Sequence, residues 1–192
     1  FNRIIEYWNL PTADLVLDHV RRGKVQVVQV GNFGVDFYGL ADDPDVGRQW
    51  PGMPALGIEE NLELAADLIP QIQEAGARVV CQFSMCWHNA DHETGKGLFG
   101  SWDRIWTPEL LGESPADSAT AANALDATGE QHRRHIEGRP YYVYSGCISN
   151  PVWLQTLKAM VRKGIDLGLD GFNATHNFED FCGCGYCADT IR

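Results

Sequence analysis

The residues most able to do chemistry are six cysteines: Cys81, Cys86, Cys147, Cys182, Cys184 and Cys187. Their even number admits disulfides, but three of them lie within Cys182-Gly183-Cys184-Gly185-Tyr186-Cys187. Glycines between thiols let the backbone fold tightly around one soft cation. Three thiolates leave a four-coordinate ion one ligand short. Cys147 is the candidate fourth, because it stands just before a helix that leads through one strand back to the cluster. Four sulfurs around zinc leave no open position, so such an ion would be structural and not catalytic. Disulfide pairing and a redox role are the competing readings, and Cys81 also reads as a small buried hydrophobe. Thiolate-bound zinc favours a reducing compartment such as the cytoplasm.

A second set of polar residues follows apolar runs: Asp36, then Trp87-His88-Asn89, then Asp170, Asn173, His176, Asn177, Glu179 and Asp180. They can form a site only if those runs are strands whose C-terminal ends gather in one place. Val25-Gln26-Val27-Val28-Gln29-Val30 is β-branched and free of charge, the pattern of a strand buried on both faces. Arg78-Val79-Val80-Cys81-Gln82-Phe83 repeats it, Pro140-Tyr141-Tyr142-Val143-Tyr144 gives a third run, and Leu169-Asp170-Gly171-Phe172-Asn173 a fourth.

Helices separate the strands. Thr12 caps a short one bearing Val16, Leu17 and Val20 and closed by Gly23. Ile58, Leu62, Ala65, Ile69 and Ile72 form one helical stripe, which Pro70 should kink and Gly76 should stop. Asn150-Pro151 starts another, with Leu154, Leu157, Val161 and Ile165 running to Gly168. Strands alternating with helices predict an α/β fold with a parallel sheet. From about 88 to 140 no periodicity is visible, and the segment reads as one long loop insertion or excursion.

The chain has 192 residues, 44% hydrophobic and 21% charged, with a formal net charge of -11. An acidic surface repels a phosphate backbone, which argues against nucleic acid. No apolar stretch approaches the roughly 20 residues that span a membrane. A full (β/α)8 (TIM) barrel needs about 250 residues. About four strands ending at Arg192 therefore read as the N-terminal half of one, residues 1–192 of an incomplete chain. The sequence starts at Phe1 without a charged-then-apolar leader, so it gives no address.

Ser145-Gly146-Cys147-Ile148-Ser149-Asn150-Pro151, the helix after it, Leu169-Asp170-Gly171-Phe172, and Cys182, Cys184 and Cys187 together resemble (β/α)8 glycoside hydrolases. The similarity is to the zinc-containing family 42 β-galactosidases and to glycosyl hydrolases whose fourth strand reads Asp-Gly, apolar residues and an Asp. Gly76-Ala77-Arg78-Val79-Val80 and Trp87-His88-Asn89 extend it to the second barrel strand. The resemblance implies one zinc held by Cys147, Cys182, Cys184 and Cys187. It also implies a carbohydrate site formed by Asp36, His88, Asn89, Asn173 and His176 at the strand ends, with Trp87 offering a flat face.

The departure lies at the acid. Family 42 has Asn-Glu after the fourth strand where this chain has Asn173-Ala174, and the second group has Asp at the place of Thr175. Neither Ala nor Thr can serve as a carboxylic acid. Glu179 and Asp170 are the weak substitutes within reach. The expected function is a glycoside hydrolase-like protein acting on β-galactoside-like glycosides. A noncatalytic sugar-binding or scaffolding barrel, and a barrel enzyme of another reaction type using His88 or His176, are the alternatives. Half a barrel has an open strand at each edge, which calls for its own continuation or a homo-oligomeric partner.

Overall fold

The computed structural model describes residues 1–7, 12–34, 57–135, 137, 142–175 and 182–190. The elements run β1 (Ile4–Tyr7), α1 (Ala13–Gly23), β2 (Val27–Asn32), α2 (Ile58–Glu74), β3 (Arg78–Ser84), β4 (Trp87–Asp91), β5 (Lys96–Gly97), α3 (Leu98–Ile105), β6 (Arg133–His135), β7 (Tyr142–Ser145), α4 (Pro151–Asp166), β8 (Gly171–Thr175) and α5 (Gly185–Thr190). A short 3-10 turn at Thr120–Ala122 precedes β6. Among the described residues no helix is long and apolar enough to cross a membrane.

The α/β expectation holds. β1, β2, β3 and β8 form a parallel sheet in that order. Strand alternation sends Val28, Val30, Val79, Cys81 and Phe83 to one face. There they pack with Val16, Leu17 and Val20 of α1, Leu62, Ala65, Ile69 and Ile72 of α2, and Trp153, Leu157 and Met160 of α4 in one core. α2 continues through Pro70 as a single helix. α4 starts as its sequence dictates, Asn150 accepting from the Val152 N–H at 2.9 Å with Pro151 in the first turn.

One expectation needs correction. Tyr142–Ser145 is not a strand of the parallel sheet: β7 pairs antiparallel with β4 and β6 in a second sheet of order β5-β4-β7-β6. The fourth parallel strand is β1, whose residues Ile4 to Tyr7 pair with Val27 to Val30. The stretch from 88 to 140, read as a loop or excursion, holds most of β4, all of β5, α3, the 3-10 turn and β6. β4 escapes periodicity because it buries His88 and Asn89 as well as Ala90. The second sheet and α3 thus form an excursion between β3 and α4, and Trp102 and Ile105 of α3 and Tyr144 of β7 join the same apolar core.

Candidate functional site

The excursion and the segment after β8 meet at four cysteines. Cys147 follows β7, Cys182 and Cys184 lie in the loop before α5, and Cys187 is on α5. The Gly183 N–H donates to the Leu125 carbonyl at 2.8 Å, and the Cys147 N–H to that of Ala122 at 3.0 Å. A Cβ on Gly183 would stand 2.9 Å from the Asp126 carbonyl oxygen, so glycine permits this approach. The four Sγ atoms lie within 4.8 Å of one another. Cys147 Sγ is 3.6 Å from that of Cys184 and 3.5 Å from that of Cys187. A disulfide needs about 2.05 Å, and none of the six cysteines is in one. Tetrahedral metal–sulfur bonds of about 2.3 Å would put sulfurs roughly 3.8 Å apart. The donors fit such an ion, and the cluster could hold a metal.

Burial pushes the Cys147 thiol well above the usual range, reinforced by its bonds to Cys187 and Cys184. Cys182 moves down: burial opposes this, but backbone donors at Cys184 and Leu125 outweigh it. Cys81, in the core of β3, is pushed up to about 12 by burial, consistent with an inert small hydrophobe.

Asp170 stands at the opposite end of the sheet from the expected site. It precedes β8 and accepts from the Arg78 guanidinium at 2.6 Å, from Gln73 Nε2 at 3.0 Å and from the Val79 N–H at 2.8 Å. Burial would raise its pKa, but these donors together hold the carboxyl below the usual carboxylate range. It is a latch joining α2, β3 and β8 and no candidate acid, which corrects that expectation.

His88 and Asn89 are also displaced from the expected cleft. His88 is 0% exposed, bonded through Nε2 to Asn123 Oδ1 at 2.7 Å and packed against Tyr144 and Trp153. Burial lowers its pKa to about 4, so at neutral pH it is an uncharged core side chain. Asn89 is buried beside it. The Trp87 ring is covered by the Arg134 guanidinium, 3.7 Å from its centroid, and offers no open face on that side. Asp36, His176, Asn177, Glu179 and Asp180 lie outside the described residues.

Asn173 lies on β8 near the C-terminal edge of the sheet, and it is exposed. It lies on the face turned away from the helices, together with Glu6, Gln29, Gln82 and Thr175, by strand alternation. Gln29 Nε2 donates to Glu6 Oε1 at 2.6 Å, and Asn173 Nδ2 to Gln29 Oε1 at 2.7 Å. Gln82 Nε2 donates to Thr175 Oγ1 at 3.3 Å. Sequence reasoning missed Glu6, Gln29 and Gln82. The signal was a glutamine inside each of two otherwise apolar strands, at a position facing away from the helix side.

No protein-family model matches the chain, and no curated protein sequence matches it. Solved structures do. The α-galactosidase of Thermus thermophilus is similar with a TM-score of 0.51 at 19% identity over 88% of this chain and 29% of that one. A cycloisomaltooligosaccharide glucanotransferase from Paenibacillus sp. is similar with a TM-score of 0.57 at 10% identity over 91% of this chain and 23% of that one. This chain shares its fold with part of each of these two enzymes and spans about a quarter of their length.

Proposed function

We propose that residues 1–192 are the N-terminal half of a (β/α)8 barrel that binds carbohydrate, as a glycoside hydrolase-like protein acting on β-galactoside-like glycosides. The observation that carries this reading is Asn173. It stands exposed near the C-terminal edge of a parallel sheet of the glycoside hydrolase kind, on a face lined by Glu6, Gln29, Gln82 and Thr175. In barrels of this type the site forms at that edge, and the exposed Asn173 amide, backed by the buried amides of Gln29 and Gln82, suits a polyol hydroxyl. Asp36 and His176 are proposed as further substrate contacts, and Glu179 as a displaced acid in place of Ala174 and Thr175. His88 and Asn89 are withdrawn because they are buried. The continuation of the barrel, or a second copy of the chain, would cover the open edges of β1 and β8.

The cysteine cluster is proposed to hold one structural zinc, supported by the all-sulfur donor set and its spacing. When bound, the ion would clip the excursion to the segment after β8. Metal analysis should find about one zinc per chain, lost in Cys147→Ser together with stability of that segment. Reduced wild-type protein without metal overturns the assignment.

Titration of the full-length protein with methyl β-D-galactopyranoside, followed by NMR, tests the carbohydrate reading. Signals of Asn173 and Gln29 should move, and no response at millimolar sugar would sink it. Aryl β-galactosides separate the catalytic form from the noncatalytic sugar-binding form favoured by Ala174 and Thr175. Turnover that falls in Glu179→Gln on unactivated substrates supports the displaced acid, and binding without turnover supports the noncatalytic barrel. The 192-residue chain alone should show no turnover, because glycosidic cleavage needs two carboxyl groups and the second must come from a later strand.

A further inference from the structure

β1 brings a carboxylate to the face that carries Asn173. Glu6 and Gln29 are register partners on β1 and β2. With Asn173 on β8 they form one hydrogen-bonded chain of three side chains, Glu6 to Gln29 at 2.6 Å and Gln29 to Asn173 at 2.7 Å. Barrel interiors are dominated by branched aliphatic residues, and a buried amide is costly unless its partners are in place. Gln29 is only 5% exposed. The chain is therefore a specified arrangement and not filler.

Its direction is set from one end. A carboxylate accepts and cannot donate, so the group that Gln29 turns to Glu6 must be its NH2. The amide is planar, so its carbonyl oxygen is then aimed at Asn173 and can only accept. Asn173 must in turn point its own NH2 inward. With one N–H given to Gln29, the acceptor that Asn173 turns to solvent is its carbonyl oxygen, on an exposed side chain. A neutral amide or hydroxyl in place of Glu6 would satisfy either orientation, and Asn173 would show a donor or an acceptor indifferently.

We propose that Glu6 is a positioning residue that acts through Gln29 to hold Asn173 with its carbonyl oxygen outward, as the acceptor for a hydroxyl donor of a carbohydrate ligand. The ligand half rests on the carbohydrate reading above, and the orientation half does not.

Side-chain amide NMR on the full-length protein tests the orientation. In the wild type, the Asn173 NH2 should show a single set of signals with slowed exchange. In Glu6→Lys the ammonium only donates, so both amides reverse and the Asn173 NH2 should exchange roughly tenfold or more faster. In the near-isosteric Glu6→Gln both orientations become allowed, and the signals should double or broaden. Unchanged Asn173 signals in both variants overturn the relay. The second arm uses methyl β-D-galactopyranoside and its monodeoxyfluoro analogues, in which fluorine cannot donate at the substituted position. Wild type should bind one analogue about tenfold more weakly than the parent, a difference of about 1.4 kcal/mol. Glu6→Lys should lose that discrimination. Reversed amides without any sugar binding overturn the carbohydrate reading and the ligand half while leaving the orientation intact. Equal affinity for every analogue in both proteins overturns the acceptor role alone.

Discussion

The two sheets are stabilised by different means. The parallel sheet rests Val28, Val30, Val79 and Phe83 on aliphatic helix stripes, and a charged latch at Asp170 closes its N-terminal edge. The excursion sheet has shorter strands and a centre of rings: His88 stacks on Tyr144, Phe99 meets Tyr144 edge-on with centroids 4.9 Å apart, and Trp153 closes over His88. Aliphatic packing tolerates change by small increments, whereas a polar aromatic centre depends on protonation and on individual partners. The excursion is the half that solution conditions should reach first.

The largest blow to both halves at once is Trp153→Ala. The indole is wholly buried, donates to the Met85 carbonyl at 2.8 Å, and leaves no room for a Cβ at Gly146. Its loss should cost about 4 kcal/mol, read as a shift in denaturant midpoint. Hydrogen exchange should rise in β4 and β7 as well as near β3. A loss confined to one sheet would show that Trp153 does not couple them.

Acid should separate the halves. The folded His88 pKa of about 4 lies below its ordinary 6.5. As pH falls through 6.5 the unfolded chain takes up a proton that the folded chain refuses. Stability is therefore lost between about pH 6.5 and 4, by at most about 3 kcal/mol, and levels off below. Denaturant midpoints across that window should show the slope, and His88→Phe should flatten it whatever its own stability. A slope that survives in His88→Phe assigns the effect to another group.

Asp170→Ala should act in the opposite half. Removing the acceptor shared by Arg78, Gln73 and the Val79 N–H should cost about 2 kcal/mol. Exchange should accelerate in β8 and β3 while β4 to β7 stay protected. The smallest change is Lys24→Gly. Lys24 follows α1 with φ 48°, a left-handed conformation that glycine adopts without strain. The variant should gain about 1 kcal/mol, visible as a modest rise in melting temperature.

What was legible in the sequence follows the same division. β2, β3, α2 and α4 were written in runs and stripes that a single period explains, and Asn150-Pro151 marked a helix start by its own chemistry. Pro140–Tyr144 was recognisable as extended, but an apolar run does not say which neighbour it will join. That choice was made by β4 and β6, whose buried His88 and exposed Arg133 to His135 carry no strand pattern. Leu98, Trp102 and Ile105 carry the apolar face of α3 but stand inside a polar stretch that masks the period. The cysteine cluster was visible because three of its four thiols lie within six residues. The Glu6–Gln29–Asn173 chain was not, because it depends on the register of strands far apart in sequence.

The excursion also sets the order in which the chain can fold. The Val79 N–H reaches Asp170 across 91 residues, and β8 docks directly on β3. β1, β2 and β3 pair across smaller sequence separations than β3 and β8 do, so they can pair before β8 has been synthesised. β8 must wait until the excursion and α4 have been synthesised, so the last edge of the sheet closes through contacts of high sequence separation, which slow folding. During that interval β3 is an exposed strand edge, and a hairpin-rich module that gathers early beside it shortens the effective loop that β8 has to close.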